Sequence, residues 1–218
     1  MDWREAEQEF SDDVTGMNSL ARMFHDSADR HPDRPAQKYK GGVYDRSLAS
    51  VGAVDAAPTD GYGTLSYAEM QDIVQNLAAG FRALGVGTGD RVGLFSDTRM
   101  EWAQCDFGLL SAGAVVTTVY ESSSPAQVRY LLDDPGATGV VVENQELLDR
   151  VLEVSDSLSV RFIVCIDDLP PEYDDEEGVY TLGEVYEQGK KRFDPDTLES
   201  WLDETDVDDL ASLVYTSG

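Results

Sequence analysis

The chain reads RVGLFSDTRMEWAQCDFGLLSAGAVVTTVYESSSPAQVRYLLDDPGATGVVVE over residues 91–143. Short apolar runs rich in β-branched residues alternate here with helical patterns. Arg91–Ser96, Val115–Tyr120 and Gly139–Glu143 are predicted strands, and Arg99–Ser111 and Pro125–Leu132 are predicted helices. Strands this short and apolar, joined by helices, are typical of a parallel sheet that is covered on both faces. The stretch therefore predicts a doubly wound parallel sheet of the α/β class.

The same alternation continues towards the C-terminus. Gln145–Val154 predicts a helix and Arg161–Ile166 a fourth strand. An acidic loop over residues 167–178 follows, and then two helical patterns, Leu182–Arg192 and Asp196–Asp203. The sheet and its helices are thus expected to extend well beyond residue 143.

Towards the N-terminus, Ser66 is the predicted N-cap of a helix whose apolar residues recur at 3–4 spacing up to Leu84. Residues 41–63 are small and polar, so they are predicted to form a loop-like insertion. Ala36–Tyr39 predicts a short strand. We therefore divide the chain into residues 1–64, with a helix, a strand and the insertion, and residues 65–218, the α/β subdomain.

The N-terminal helix is predicted to begin at an Asn18 cap and to end near His31-Pro32. Its predicted apolar face contains Leu20, Met23, Phe24 and Ala28. Both histidines, His25 and His31, are expected on an exposed face or at the helix end, because neither has the sequence context of a metal site or a catalytic triad.

The last six residues, Leu213-Val214-Tyr215-Thr216-Ser217-Gly218, form the strongest candidate site. An apolar strand ends there in hydroxyl residues and a glycine. Such a loop can present backbone N–H groups and hydroxyls to phosphate oxygens, although a plain turn would have the same residues. A strand that runs into this loop is also expected to be followed by a turn and more protein.

Two other glycine or hydroxyl motifs have structural explanations. Gly85–Asp90 resembles a dinucleotide fingerprint, but a helix precedes it and a strand follows it, which is the wrong order for a phosphate loop. Gly85 is instead predicted to end the helix, with Gly87–Asp90 as a turn. Ser96-Asp97-Thr98 follows a strand, where ligands bind in open α/β sheets, but capping of the next helix explains it as well.

The acidic composition excludes one class of partner. The chain carries 43 Asp and Glu against 16 Lys and Arg, a formal net charge of -27. Nucleic acid is not an expected partner, because phosphate neutralisation needs a basic face. Such self-repulsion is typical of halophilic proteins, and we interpret the chain as a folded protein of a salt-rich cytoplasm.

Cysteine usage and hydropathy are consistent with that compartment. The two cysteines, Cys105 and Cys165, lie in apolar stretches without metal-ligand spacing, so they are predicted to be reduced core residues. The acidic N-terminus predicts no signal peptide. The longest weakly polar run, Gly108–Tyr120, is too short to span a bilayer. Peripheral membrane contact and the oligomeric state are left open by the sequence.

Several segments, taken in order, resemble the acyl-adenylate-forming superfamily. Leu65–Met70 and Ala83–Val92 resemble its opening, and Thr98–Trp102 with Tyr120–Tyr130 are similar to its long-chain fatty acyl-CoA synthetase branch. Residues 208–218 resemble the start of its phosphate-binding signature, in which Thr-Ser-Gly is followed by further Thr and Gly and by Pro-Lys-Gly. The resemblance runs from about residue 18 to the last residue. It implies that the chain is the N-terminal part of such an enzyme and ends inside the ATP loop.

The resemblance implies a two-step ligation. A carboxylate attacks the α-phosphate of Mg-ATP, releasing pyrophosphate, and the CoA thiol then displaces AMP from the acyl-adenylate. ATP, Mg²⁺ and CoA are the implied cofactors, and a small-molecule carboxylic acid is the implied partner. Thr216, Ser217 and Gly218 are the implied ATP contacts, and no catalytic residue or protein metal ligand is assigned.

Two alternatives stay open. The parent protein could be another adenylate-forming ligase, acting on an aryl or medium-chain acid, because the acyl tunnel would lie mostly beyond Gly218. The chain could also be a stand-alone α/β module that binds a nucleotide or a partner. As an isolated piece it is expected to be inactive as a ligase.

Overall fold

The computed structural model describes residues 19–55, 57–173 and 176–216. The helices are α1 Leu20–Arg30, α2 Ser47–Ser50, α3 Tyr67–Ala83, α4 Met100–Ser111, α5 Pro125–Asp133, α6 Gln145–Leu152, α7 Leu182–Lys190 and α8 Pro195–Asp203. The strands are β1 Pro35–Lys40, β2 Tyr62–Ser66, β3 Arg91–Phe95, β4 Val115–Val119, β5 Gly139–Val142, β6 Phe162–Cys165, β7 Val179–Thr181 and β8 Ser212–Leu213. Two 3₁₀ helices are Ser155–Ser157 and Pro171–Tyr173. Within these ranges, every helix falls short of the length and apolar character that a membrane crossing needs.

Six strands form one parallel sheet in the order β7-β6-β5-β3-β4-β8. Val92 of β3 lies opposite Val116 of β4 on one side and Gly139 of β5 on the other. Every pair of neighbours in this sheet is parallel. The predicted doubly wound α/β fold is therefore confirmed. β1 and β2 form a separate antiparallel pair.

Helices cover both faces of the parallel sheet and enclose two cores. The first core lies between the sheet and α3, α4, α7 and α8, and the second lies between the sheet and α5 and α6. Leu94 and Phe95 are neighbours on β3 and belong to different cores, because successive strand residues point to opposite faces. This is why both positions are apolar, as the sequence pattern indicated.

The predicted helix ends at residues 66 and 85 are confirmed. The Ser66 side chain accepts from the Glu69 backbone N–H, and the Glu69 carboxylate accepts from the Ser66 backbone N–H, forming a capping box for α3. Gly85 and Gly89 have φ angles of 89° and 80°, a conformation that favours glycine. Gly85 thus follows the end of α3, and Gly89 lies in the turn before β3.

The predicted apolar face of α1 is wrong in part. Leu20 and Met23 are 50% and 36% exposed, whereas Phe24 and Ala28 are buried as predicted. Ser19 is the observed N-cap, and Asn18 lies outside the described residues. The helix is therefore rotated about its axis relative to the predicted face, since the short side chain of Ala21 faces the core instead.

The predicted position of His25 is also wrong. His25 is 6% exposed, and its Nε2 lies 3.0 Å from Ser111 Oγ of α4. Burial lowers the pKa of His25, which favours the neutral ring. His31 is exposed at the end of α1, as predicted.

The stretch 41–63 is more ordered than predicted. It contains α2, and its last two residues begin β2, which pairs antiparallel with β1. Ser47 explains the short helix, because its backbone N–H and hydroxyl both donate to the Ile166 carbonyl and its Oγ accepts from Gly183 N–H. These are long-range contacts that no local pattern predicts. The division at residue 64, which falls inside β2, stays a prediction.

Asp106 on α4 gives a testable pH dependence. Burial raises its pKa to about 6, and its carboxylate has no hydrogen-bond or ion-pair partner in the part of the chain that the structure describes. An unfolded Asp titrates near 4, so the folded state binds more protons between about pH 4 and pH 6. Stability therefore falls as the pH rises through this window, and the destabilisation is fully present above it.

We expect Asp106→Asn to raise the free energy of unfolding by about 1–2 kcal/mol at pH 7.5 and to have little effect at pH 4. Urea unfolding of both proteins at the two pH values measures this. Asp60→Asn, at an exposed turn position, is the matched control and should change little. An equal effect of Asp106→Asn at both pH values would contradict the prediction.

Candidate functional site

The parallel strands all end at one edge of the sheet, which we call the carboxyl edge. The first polar residues to follow β3, β4, β5, β6 and β8 are Ser96, Tyr120, Glu143, Asp167 and Tyr215, and Thr216 comes directly after Tyr215. In open α/β sheets, ligands bind outside the carboxyl ends of the strands. The carboxyl edge is therefore the part of the fold to search for a functional site.

The strand order reverses between β3 and β5, and we call this position at the carboxyl edge the crevice. α4 follows β3 on the face of the first core, and α6 follows β5 on the face of the second core. The chain thus leaves these two adjacent strands towards opposite faces, and the loops after them diverge. Such a reversal in strand order is where doubly wound folds bind their ligands.

Thr216 lies at the same edge, two strands away from the β3–β5 crevice. β8 pairs parallel with β4 through Val116↔Ser212 and Thr117↔Leu213, and the chain then continues to an exposed Thr216. Ser217 and Gly218, the other two predicted phosphate contacts, lie outside the described residues. The structure thus shows Thr216 three residues beyond the end of β8, and its phosphate role stays a prediction.

Tyr215 fixes the chain immediately before Thr216. Its hydroxyl donates to Asp134 Oδ2 at 2.6 Å, and its ring packs edge-on against Tyr130 of α5, with 6.0 Å between the ring centroids. Burial and the Asp134 carboxylate raise the pKa of Tyr215 to about 12. The strand that leads to Thr216 is therefore anchored to α5 and to the residue that follows it.

The crevice itself contains a buried cluster of charges centred on Arg99. Arg99 Nε lies 2.8 Å from Glu101 Oε2, and Arg99 Nη1 lies 2.8 Å from Asp167 Oδ1. The same Nη1 is 3.8 Å from Glu143 Oε1. The side chains of Arg99 and Glu101 are fully buried. Because Asp167 and Glu143 follow β6 and β5, the guanidinium connects three separate parts of the carboxyl edge.

A second arginine, Arg46, completes the cluster from the segment before α2. Its Nε lies 2.7 Å from Glu101 Oε1, so Glu101 is held between two guanidinium groups. The Tyr44 ring covers Arg99, with 4.4 Å between the guanidinium carbon and the ring centroid. Arg99 also donates to the Asp45 carbonyl at 3.3 Å. The segment 44–46 is therefore fastened to the carboxyl edge by charge-assisted bonds.

Glu143 connects this cluster to the loop after β3. Its Oε2 accepts from the Asp97 backbone N–H at 2.7 Å and lies 3.3 Å from Ser96 Oγ. The capping explanation of Ser96-Asp97-Thr98 is wrong, because α4 has Arg99 at its N-cap and no side-chain capping bond there. Asp97 and Thr98 are instead exposed at the crevice.

A family model described as "AMP-binding enzyme" matches residues 24–218, nearly the whole of the chain. The chain belongs to this family. The expected resemblance to adenylate-forming enzymes is thereby confirmed.

The chain is also similar to named relatives. It is 37% identical over 166 residues to long-chain-fatty-acid--CoA ligase FadD15 of Mycobacterium bovis, an alignment that covers 76% of this chain and 26% of the relative. It is 29% identical over 160 residues to long-chain-fatty-acid--CoA ligase ACSBG1 of Rattus norvegicus, covering 73% of this chain and 22% of the relative. The chain thus spans about a quarter of the length of these curated relatives.

Solved structures of adenylate-forming ligases share the fold of this chain. A mutant form of coronafacic acid ligase from Pectobacterium brasiliense superposes with a TM-score of 0.68 at 19% identity, covering 92% of this chain and 33% of that one. A long-chain-fatty-acid-CoA ligase, FadD1, from Archaeoglobus fulgidus gives 0.67 at 18% identity, covering 93% and 35%. At such identities the likeness shows the fold alone.

The charges around Arg99 limit which ligands its guanidinium can bind. Burial lowers the pKa of Arg99, but the bonds and charges of Glu101 and Asp167 outweigh it and raise the pKa above its usual range. Burial raises the pKa of Asp167 to about 6, although Arg99 opposes this shift. Arg99 is therefore permanently charged and already surrounded by carboxylates, so it is not free to bind a phosphate.

Sequence reasoning missed this cluster. Its five members come from four separate parts of the chain, and only Arg99 and Glu101 are near each other in sequence. One signal was available: Glu143 and Asp167 each follow an apolar strand directly, at the edge where the strand ends converge. Among residues 19–55, 57–173 and 176–216, no group of three or more His, Cys, Asp or Glu could hold a metal ion.

Proposed function

We propose that this chain is the first part of a ligase that activates a long-chain fatty acid. ATP and the acid form an acyl-adenylate with release of pyrophosphate, and CoA then takes the acyl group and releases AMP. The observation that supports this most directly is the 37% identity, over three quarters of the chain, to a relative named long-chain-fatty-acid--CoA ligase. The family match over residues 24–218 supports the adenylate-forming chemistry.

In this proposal, Thr216, Ser217 and Gly218 begin the loop that contacts the ATP phosphates. The position of an exposed Thr216 after the carboxyl end of β8 supports it, since ligands bind outside the carboxyl ends of such strands. Backbone N–H groups and hydroxyls can stabilise phosphate charge without a cationic side chain. A net charge of -27 makes this locally positive loop necessary. Mg²⁺ enters as part of the substrate Mg-ATP and supplies further positive charge.

Because the chain spans about a quarter of the length of its curated relatives, we propose that the reaction also needs groups outside these 218 residues. We therefore expect acid-dependent ATP–pyrophosphate exchange from the longer protein that carries this chain, and none from the 218-residue chain. Exchange measured with palmitate, octanoate and benzoate separates the proposed substrate class from medium-chain and aryl acids. A heat-inactivated sample of each protein is the control.

Three outcomes would contradict parts of the proposal. Exchange by the 218-residue chain above its control would show that these residues contain every group that adenylation needs, contrary to the proposal. Exchange by the longer protein with benzoate or octanoate alone would replace the substrate class. No exchange with any acid would favour a module that binds a nucleotide or partner without catalysis.

A further inference from the structure

We infer that Arg99 is a positioning residue, which holds the Ser96–Thr98 loop at the β3–β5 crevice through Glu143. The expected effect on catalysis rests on the proposed function. The holding of the loop by Arg99 does not depend on that function. Arg99 does not itself face a substrate, because its side chain is fully buried and its charge is enclosed by Glu101, Glu143 and Asp167.

Stability alone does not account for such a cluster. Removing charges from water is unfavourable, and apolar replacements of buried ion pairs are often equally stable or more so. What the guanidinium provides is direction, since its planar fork presents fixed donors to several acceptors at once. Here Nε donates to Glu101 and Nη2 donates to the Asp45 carbonyl, while Nη1 lies within ion-pair distance of Asp167 and Glu143.

The contacts form a continuous path from Arg99 to the loop. Glu143 faces Arg99 with Oε1 and the loop with Oε2, which accepts the Asp97 backbone N–H at 2.7 Å. The Ser96 hydroxyl lies 3.3 Å from the same oxygen. A Glu143 carboxylate that rotated away from Arg99 would release both groups. Arg99 thus controls the orientation of Asp97 and Thr98, which are exposed in the crevice.

The orientation of the loop matters because the loop lies where a ligand is expected to bind. The loop follows β3 at the strand-order reversal, where ligands of doubly wound folds bind. Thr216 follows three residues after the end of β8, in the same parallel sheet. A displacement of about 1 Å near reacting groups can lower a rate by roughly a hundredfold. In the proposed ligase, a loosened loop should therefore lower the rate of adenylation.

The first experiment needs no substrate. Amide hydrogen exchange is measured by NMR on the 218-residue chain for wild-type, Arg99→Lys and Glu143→Gln. Lysine keeps the charge but lacks the fork, and glutamine keeps an acceptor for Asp97 but loses the attraction to Arg99. Arg22→Lys is the matched control, because Arg22 also pairs with two carboxylates, Glu199 and Asp203, but at the α1–α8 surface.

We expect exchange at Asp97 to rise about tenfold in both cluster variants, which corresponds to one lost hydrogen bond to a charged acceptor. Arg22→Lys should leave it unchanged. Unchanged exchange at Asp97 in both cluster variants would overturn the inference. So would an equal rise throughout β3, β5 and β6, because that result indicates a general loss of stability. If Arg99→Lys does not fold, amide exchange at Asp97 in Glu143→Gln alone tests the inference.

The second experiment measures adenylation by the longer protein, as kcat and KM per folded enzyme. We expect Arg99→Lys and Glu143→Gln to lower kcat about tenfold or more, while Arg22→Lys retains the wild-type value. Wild-type kcat in folded cluster variants would overturn the positioning role and leave the proposed function intact. A wild-type protein without exchange activity would contradict the proposed function, and amide exchange at Asp97 would still test the positioning.

Discussion

Gly189→Ala is expected to lower the free energy of unfolding by about 3 kcal/mol, although alanine is the better helix former by about 1 kcal/mol. An added Cβ at Gly189 on α7 would lie 1.7 Å from the Asn76 carbonyl oxygen and 2.7 Å from the Gly80 backbone nitrogen, both on α3. A Cβ at Gly80 would in turn lie 2.2 Å from the Val185 carbonyl oxygen of α7. These neighbours are backbone atoms, so the two helices would have to separate.

Three glycine substitutions whose added Cβ atoms meet different degrees of crowding test this prediction. Gly80→Ala should be destabilising as well. Gly108→Ala should be much less so, because its Cβ would meet Leu77 Cβ at 3.0 Å and its next neighbours, Phe81 and the Val74 carbonyl oxygen, at ordinary contact distances of 3.5 and 3.6 Å. For a domain of this size, about 3 kcal/mol corresponds to a fall in melting temperature of roughly 6–12 °C. Thermal unfolding of the three variants tests the order. A Gly189→Ala protein as stable as Gly108→Ala would show that α3 and α7 are not packed this closely.

Gly218→Val in the longer protein is expected to have the largest effect on activity. By the proposed function, Gly218 stands where the chain turns away from β8 and lets backbone N–H groups approach the ATP phosphates. A branched side chain would strain that turn and fill the space. Losing phosphate stabilisation in the transition state should lower kcat and kcat/KM for adenylation on the order of a hundred- to a thousandfold. Thr216→Val and Ser217→Ala should have smaller effects, since backbone N–H groups or water can replace hydroxyl contacts.

The two half-reactions separate this effect from a loss of folding. Pyrophosphate exchange measures adenylation, and thiol transfer from preformed acyl-adenylate should be less affected by Gly218→Val. Melting temperature measured on the same variant controls for stability. A folded Gly218→Val protein with near-normal exchange would remove the phosphate loop from the proposed function.

Local sequence patterns predicted the sheet well because its strands are short, apolar and separated by capped helices. β3 was predicted over 91–96 and observed over Arg91–Phe95, and β5 was predicted over 139–143 and observed over Gly139–Val142. Helix ends were equally clear where one residue determines them, as Ser66 does through its capping box. The strand Val179–Thr181 was missed, because three half-buried residues are too few to show the alternating apolar pattern of a strand.

The sequence by itself determined the α/β class, the parallel sheet and the family, because apolar periodicity, caps and ordered motifs are local properties of the chain. Only the tertiary structure decided which face of α1 is buried, and it placed His25 beside Ser111. It also brought Arg46, Arg99 and Glu101 together with Glu143 and Asp167. A charged residue in the sequence is by default solvated. It becomes part of a buried cluster only when strand order and crossover direction bring distant loops to one edge, and that arrangement leaves no periodic signal in the chain.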